Sequence, residues 1–378
     1  MDLNKTDTVK TTIDTTHTND VPVDHYTELE NRCEKICSFS EEMINNNKLP
    51  ELLQHHETKQ TKPVAYDGFE PSGRIHIAQG IIRTINTNKL TDSGCEFIFW
   101  VADWFAKLNN KMGGDLKKIQ TAGKLMIETW KLCGMNMENV KFLWASEEIN
   151  TRANEYWSLV MDIASVNSLS RVQRCCKIMG RRDDDELNAS QIFYPCMQCA
   201  DIFFLNVDIC SLGVDQRKVN MLAIEYCDKI KRKHKPVVLS HHMIIGLDGT
   251  KMSKSNPENA IFMDDAPSDI KRKIKKAYCP PKIVENNPIL EYFKYIIFEH
   301  PDIKNNVTIQ RKEEHGGNIM FSNYELLELS YVNEELYPGD IKNNLVGYIN
   351  TLLFPIQKAL TEDKEFKELT KRVKSYNN

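Results

Sequence analysis

Two lysines separated by Met-Ser sit beside hydroxyls in the run Gly249-Thr250-Lys251-Met252-Ser253-Lys254-Ser255. A loop of that kind can close its cations on a polyphosphate as negative charge develops there. A second stretch, Gly68-Phe-Glu-Pro-Ser-Gly73-Arg74-Ile75-His76-Ile77-Ala78-Gln79-Gly80, combines glycines, which permit close backbone approach to a ligand, with an imidazole in the first turn of a helical pattern. Helix N-termini present backbone N–H groups and partial positive charge to phosphate. The spacing is neither Walker A nor G-x-G-x-x-G, which argues against P-loop and dinucleotide chemistry. A third pattern starts at Tyr194, where Tyr194, Gln198 and Asp201 fall at i, i+4 and i+7 on one stripe of a helix, with Pro195 expected in its first turn. The intervening Cys196, Met197, Cys199, Ala200, Ile202, Phe203 and Phe204 are mostly apolar, so the helix is expected to be buried on most sides. Buried polar groups need partners, and these are either protein atoms or a bound polar molecule. The stripe could equally face solvent.

These groups require a scaffold. Residues 62–69 read as a buried strand, and Ile75, Ile77, Ala78, Ile81, Ile82 and Ile85 follow at helical spacing. Further strands are expected at 97–102 and 140–144, separated by an amphipathic helix over 115–133 that Gly134 stops. After a largely helical insertion at about 150–182 the alternation resumes, with helices at 194–205 and 215–231 and strands at 207–211 and 236–239. Strands alternating with helices imply an α/β fold with a doubly wound parallel sheet. Ligands bind outside the carboxyl ends of such strands, where the first βα turn and the Lys251 loop both fall. Residues 1–25 lack periodic apolar positions and read as a disordered polar tail, followed by a polar helical stretch over 26–56. Beyond about 262 the strands are expected to disappear, leaving helical patterns at 289–298, 324–329 and 341–360. The expected division is therefore a tail (1–25), an α/β domain (26–261) and a helical domain (262–378).

The balance of 49 Lys+Arg against 53 Asp+Glu gives a net charge of −4 over 378 residues, so any nucleic-acid contact must be local. Two basic runs, Lys229 with Lys231, Arg232, Lys233 and Lys235, and the stretch from Lys271 to Lys276, could track phosphates or form solvated helix faces. No apolar run approaches the 18 residues of a membrane span, and the first residues resemble neither a signal nor a transit peptide. A cytosolic protein without membrane contact is expected. The 11 cysteines, an odd number scattered through apolar segments, fit reduced thiols. Cys196-Met-Gln-Cys199 lacks a second pair to complete a metal site and reads as helix packing, so no protein-bound metal is expected.

Lys251-Met-Ser-Lys-Ser255 is identical to the second signature of class I aminoacyl-tRNA synthetases, and His76-Ile-Ala-Gln79 resembles a variant of their HIGH signature. The segments YDGFEPSGRIH from Tyr66, YPCMQCADI from Tyr194, GVDQRK from Gly213, GLDGTKMSKS from Gly246, AYCPP from Ala277 and YPGDIK from Tyr337 are similar to the tyrosyl-tRNA synthetases of the archaeal and eukaryotic cytosolic type. The resemblance runs from about residue 30 to the C-terminus. It implies a Rossmann-like catalytic domain, a C-terminal helical anticodon-binding domain, and a dimer interface at the helical insertion. It further implies L-tyrosine, ATP and tRNA(Tyr) as substrates, with Mg²⁺ carried by ATP. Tyr194, Gln198 and Gln216 would hold the ammonium and backbone of tyrosine, and Tyr66 and Asp201 its phenol. Gly68, Ala78, Gly213, Asp215, Met252 and Ser253 would face ATP, and His76, Gln79, Lys251 and Lys254 the phosphates. Asp340 and His315 would meet the anticodon, and Arg171 and Arg174 the acceptor stem. Two departures stand out: Ala78 replaces the signature glycine, and Gln79, which can donate but cannot carry charge, replaces the second histidine. The same fold also serves tryptophanyl-tRNA synthetases, catalytically silent RNA-binding paralogues and other nucleotidyl transferases; the Tyr66 and Asp201 pair, the intact KMSKS and the C-terminal segments respectively argue against these.

Overall fold

Hydrophobic runs bounded by turn residues become the parallel strands β2 (Val64–Phe69), β3 (Glu96–Val101), β4 (Val140–Trp144), β5 (Ile209–Gly213) and β6 (Val237–His241) in a computed structural model that describes residues 23–179, 188–252 and 256–376. Most of the expected polar tail, the last residues of the insertion, and Ser253, Lys254 and Ser255 lie outside the described residues. A sixth strand, β1 (Ser40–Ile44), pairs antiparallel with β6, giving the order β1-β6-β5-β2-β3-β4. The polar stretch 26–56 is thus not one helix: α1 (Val23–Cys37) and α2 (Leu49–Thr58) flank this edge strand, whose outward Glu41 and Met43 hide its alternation. The chain steps from β2 outward to β3 and β4, then returns to β5 on the other side of β2. The switch point between β2 and β5 is where a doubly wound sheet binds ligands.

Strand alternation divides the core. Ala65, Phe69, Phe97, Phe99 and Val101 join one apolar cluster, and Tyr66, Ile98 and Trp100 join another. The first cluster includes a π-helical turn (Ala78–Ile82) running into α3 (Arg83–Asp92), together with α5 (Leu116–Leu132), which Asp115 caps through the N–H groups of Lys117 and Lys118. The second is covered by α4 (Asp103–Leu108), α6 (Ala145–Thr151), α7 (Ala153–Val166), α8 (Leu169–Cys175), α9 (Ala189–Phe204) and α10 (Arg217–Lys229). Pro195 is the seventh residue of α9 rather than part of its first turn, because an Asn188 and Gln191 capping box starts the helix earlier. The Gln191 carbonyl, which a proline four residues on cannot satisfy, accepts the Cys176 thiol at 3.3 Å. All 11 cysteines are free.

Beyond residue 262 lie α11 (Pro267–Lys276), α12 (Pro288–Tyr292), α13 (Tyr324–Val332), α14 (Pro338–Glu362) and α15 (Lys364–Ser375). Strands do not disappear there: β7 (Val307–Ile309) and β8 (Ile319–Phe321) form a small hairpin whose three-residue strands are too short to show periodicity. Residues of α12, α14 and α15 belong to the same apolar cluster as β2 and β3. Among the described residues no helix is long and apolar enough to cross a membrane.

Candidate active site

Tyr66, Gly68 and Glu70 alternate along the end of β2, so all three point to the α9 side of the sheet. A Cβ on Gly68 would stand 2.9 Å from the Tyr66 hydroxyl, so the missing side chain makes room first for that phenol. Facing it, Asp201 on α9 is 0% exposed. Its Oδ1 accepts the Tyr156 hydroxyl at 2.8 Å, while its Oδ2 is buried without a partner. Burial pushes the Asp201 carboxyl well up, partly countered by Tyr156 and Trp100. The Tyr66 phenol is likewise raised, by burial and then by the neighbouring Asp201. Asp201 Oδ2 is thus a buried acceptor near the Tyr66 hydroxyl, one of several buried polar atoms without a protein partner among the described residues, Trp100 Nε1 and Gln198 Oε1 included.

Two turns earlier on α9, the Tyr194 hydroxyl donates to Glu70 at 2.7 Å, and its ring packs edge-on against Phe105. Glu70 also accepts both of its oxygens' worth of contact from the Asn109 amide and pairs with Lys111 at 3.5 Å. Gln198 Nε2 donates to Gln216 Oε1 at 3.1 Å, and Gln216 in turn donates to the Ile178 carbonyl, leaving Gln198 Oε1 buried and open. The structure therefore brings Tyr66, Tyr194 and Asp201 close together, with Gln198 of the same helix stripe bonded to Gln216. Glu70 and Tyr156 were missed. The period-two relation of Glu70 to Tyr66 was visible in the sequence, whereas nothing local to Tyr156 points to Asp201.

At the end of β5, Asp215 folds back over Gly213: a Cβ there would lie 2.6 Å from Asp215 Oδ1 and 2.8 Å from the Met243 sulfur. On the opposite face of β2, Asp67 pairs with Arg83 of α3 at 2.9 Å. Burial, together with Asp215, raises the Asp67 carboxyl to about 6 against the pull of Arg83. Burial and the same guanidinium push His241 down to about 4. These charged groups gather at the switch point, and the sequence reading did not anticipate them.

His76 lies in an isolated antiparallel bridge with Phe262, flanked by Ile77 N–H to Ile261 O at 2.8 Å and Met263 N–H to Ile75 O at 2.9 Å. Gln79 turns back on it, its N–H reaching His76 Nδ1 at 3.4 Å and its Oε1 accepting from the His76 N–H at 3.5 Å, while Trp130 holds the Gln79 carbonyl at 2.7 Å. Ala78 opens the π-helical turn, a widening often found at functional sites. Lys251 is exposed and bridges to Ile245; half-buried Met252 packs on the core behind it. Asn259 joins the two regions, donating to the Lys251 carbonyl at 3.4 Å just before Ile261 meets Ile77.

The chain matches the family model for class I tRNA synthetases (W and Y) over residues 57–353. The chain belongs to this family. It is 54% identical over 351 residues, 92% of this chain and 89% of the relative, to "Tyrosine--tRNA ligase 1, cytoplasmic" of Arabidopsis thaliana. Among solved structures it resembles Leishmania major tyrosyl-tRNA synthetase in complex with tyrosinol (45% identity, TM-score 0.85, 93% of this chain), although it spans only 52% of that chain. It also resembles the Pyrococcus horikoshii enzyme complexed with L-tyrosine (32% identity, TM-score 0.81, 91% of this chain and 99% of that one). The Rossmann-like sheet is the family's class I fold.

The RNA-facing candidates of this tRNA synthetase lie far apart in the chain. Asp340 accepts the Tyr337 N–H at the start of α14, and the Tyr337 ring beside it is 56% exposed, an additional candidate for base contact. His315 is exposed next to Glu314. Arg174 is exposed, but Arg171 is held by both Glu225 oxygens and the Cys175 sulfur, which ties α8 to α10 instead of leaving its fork for phosphate. Of the second basic run, Lys273 is buried in an ion pair with Asp265.

Proposed function

We infer that this chain is a tyrosine–tRNA ligase, activating L-tyrosine with ATP to tyrosyl-adenylate and passing the tyrosyl group to tRNA(Tyr). The observation that carries this reading is the open, buried Asp201 Oδ2 beside the Tyr66 hydroxyl in a family that handles tryptophan and tyrosine. A phenol both donates and accepts, so it can donate to Asp201 and accept from Tyr66 at once; an indole N–H only donates and would leave Tyr66 unmatched. Gln198 Oε1, buried and open, and the Glu70 carboxylate beside Tyr194 would supply acceptors for the ammonium of tyrosine.

No protein nucleophile is required. The tyrosine carboxylate attacks the α-phosphate of ATP, pyrophosphate departs with the Mg²⁺ that came with the nucleotide, and His76, Lys251 and Lys254 offset the growing charge. Gly68, Gly213 and Asp215 border the nucleotide, with Ala78, Met252 and Ser253 beside it, and Gln79 supports His76. The terminal ribose hydroxyl of tRNA then takes the tyrosyl group. Residues 26–261 form the catalytic part, and 262–378, with Asp340, Tyr337 and His315, the anticodon-binding part; Arg174 is the remaining acceptor-stem candidate. Trp157, Met161, Leu169 and Phe193, exposed on α7 to α9, support a homodimer, which sedimentation would test. The plant relative's name supports a cytoplasmic location. Charging of tRNA(Tyr) but not tRNA(Trp) transcripts with labelled amino acid tests the reading; charging of tRNA(Trp) would overturn it.

A further inference from the structure

Arg74 lies two residues before His76, and both are half-buried while Ile75 and Ile77 enter the core. Its guanidinium lies 4.0 Å over the Phe262 ring, opposite His76 in the bridge. It donates from Nε and Nη2 to Asp264 Oδ1 at 3.1 and 2.7 Å, and from Nη2 to Asp265 Oδ1 at 3.0 Å. The same two carboxylates reach the C-terminal helices. Lys374 of α15 pairs with Asp264 Oδ2 at 2.6 Å, and buried Lys273 of α11 pairs with Asp265 Oδ2 at 2.6 Å while donating to the Ala260 carbonyl. Asp265 Oδ2 also accepts the Phe262 N–H at 2.9 Å.

Two backbone hydrogen bonds flanking an isolated bridge join the His76 segment to its neighbour, and Ile75 and Ile77 anchor it in the core. Gly73, just ahead, adopts φ 66°, a region that imposes little steric restraint on a glycine. A bidentate, partly buried guanidinium pair stacked on an aromatic ring is the kind of contact that holds such a segment in one register.

We propose that Arg74, with Asp264 and Asp265, is a positioning residue for tyrosine activation, holding His76 against the segment that follows the KMSKS loop and linking both to α11 and α15. This rests on the reaction inferred above. Three cations surround two carboxylates in this cluster, so Arg74→Met leaves it neutral and foldable, whereas Asp264→Asn leaves three cations on one carboxylate.

The test is tyrosine-dependent exchange of pyrophosphate into ATP by the full chain as wild type, Arg74→Met, His76→Ala and the double variant, with circular dichroism and thermal midpoints recorded for each. The expected result is a 10- to 100-fold lower kcat in Arg74→Met, a KM for tyrosine within twofold, and no further loss when Arg74→Met is added to His76→Ala. Losses that multiply in the double variant, an unchanged kcat, or a KM for tyrosine that rises in step with the loss would each overturn the positioning role. A wild-type chain that exchanges with no amino acid would overturn the reaction itself, an outcome distinct from a normal wild-type rate indifferent to Arg74. Arg74→Lys, which keeps the charge but loses the fork, is expected to recover less than half of the lost rate; full recovery would show that charge alone suffices and refute the clamp.

Discussion

Tyr156→Phe removes one oxygen atom, which bonds Asp201 and lies 3.2 Å from the Met197 carbonyl, and so probes the contribution of Asp201 to substrate choice. The Tyr156 hydroxyl donates to Asp201 Oδ1 at 2.8 Å, and both side chains are fully buried. The ring, packed edge-on against Phe204, keeps its contacts in the variant. A buried hydrogen bond to a carboxylate contributes ~1.5–3 kcal/mol, and its loss frees Asp201 from the orientation in which its second oxygen faces the phenol. Tyr156 is also the principal group holding down the raised Asp201 carboxyl. Its removal raises the carboxyl further, which weakens Asp201 as an acceptor for the phenol. The converted effect is a ~10- to 100-fold rise in the KM for tyrosine, with the KM for ATP and kcat within about threefold. Steady-state pyrophosphate exchange at saturating concentrations of the other substrate reads all three. An unchanged KM for tyrosine, or an equal rise for ATP, would refute the role assigned to the Tyr156 and Asp201 pair.

Other expectations follow from the same geometry. Asp67, raised by burial from 3.8 to about 6, holds a proton in the folded protein that the unfolded chain releases, so its stabilising contribution is present below about pH 4 and lost as pH rises through 6. At about 1.4 kcal/mol per pH unit the loss is roughly 3 kcal/mol. The stability of wild type relative to Asp67→Asn, from urea unfolding between pH 4 and 7, should fall by that amount; a flat difference would contradict it. Gly68→Ala places a methyl 2.9 Å from the Tyr66 hydroxyl and should raise the KM for tyrosine about tenfold or more in the exchange assay, with the fold intact by circular dichroism. Lys251→Ala and Lys254→Ala should each slow tyrosyl-adenylate formation by about 10²-fold in single-turnover measurements while leaving tyrosine affinity nearly unchanged; unaltered rates in both would remove these lysines from the mechanism.

Much of the site was legible because it depends on local periodicity. The Tyr194, Gln198 and Asp201 stripe needs only 3.6 residues per turn, and the strand carrying Tyr66 announces itself by five apolar or small residues, interrupted only by Asp67, after a polar segment. Contacts between distant elements were not legible. Tyr156 reaches Asp201 from 45 residues away, and Arg74 meets Asp264 across 190 residues, so neither pairing leaves a local pattern. β1 escaped because an edge strand with outward Glu41 looks as polar as a surface helix, which is also what protects such an edge from pairing with another chain. Pro195 misled for a physical reason: proline is common in a first helical turn, but here the orphaned Gln191 carbonyl has a thiol partner that makes an interior proline tolerable. Arg171, an acceptor-stem candidate by resemblance, pairs with Glu225, a contact only the packing of α8 on α10 could reveal.

The most direct test of the central claim is amino-acid-dependent exchange of labelled pyrophosphate into ATP, run with tyrosine, phenylalanine and tryptophan separately and without tRNA. Exchange with tyrosine alone is the predicted result, because only its hydroxyl satisfies both Asp201 and Tyr66. Exchange with tryptophan in preference to tyrosine, or equal exchange with phenylalanine, would contradict the account.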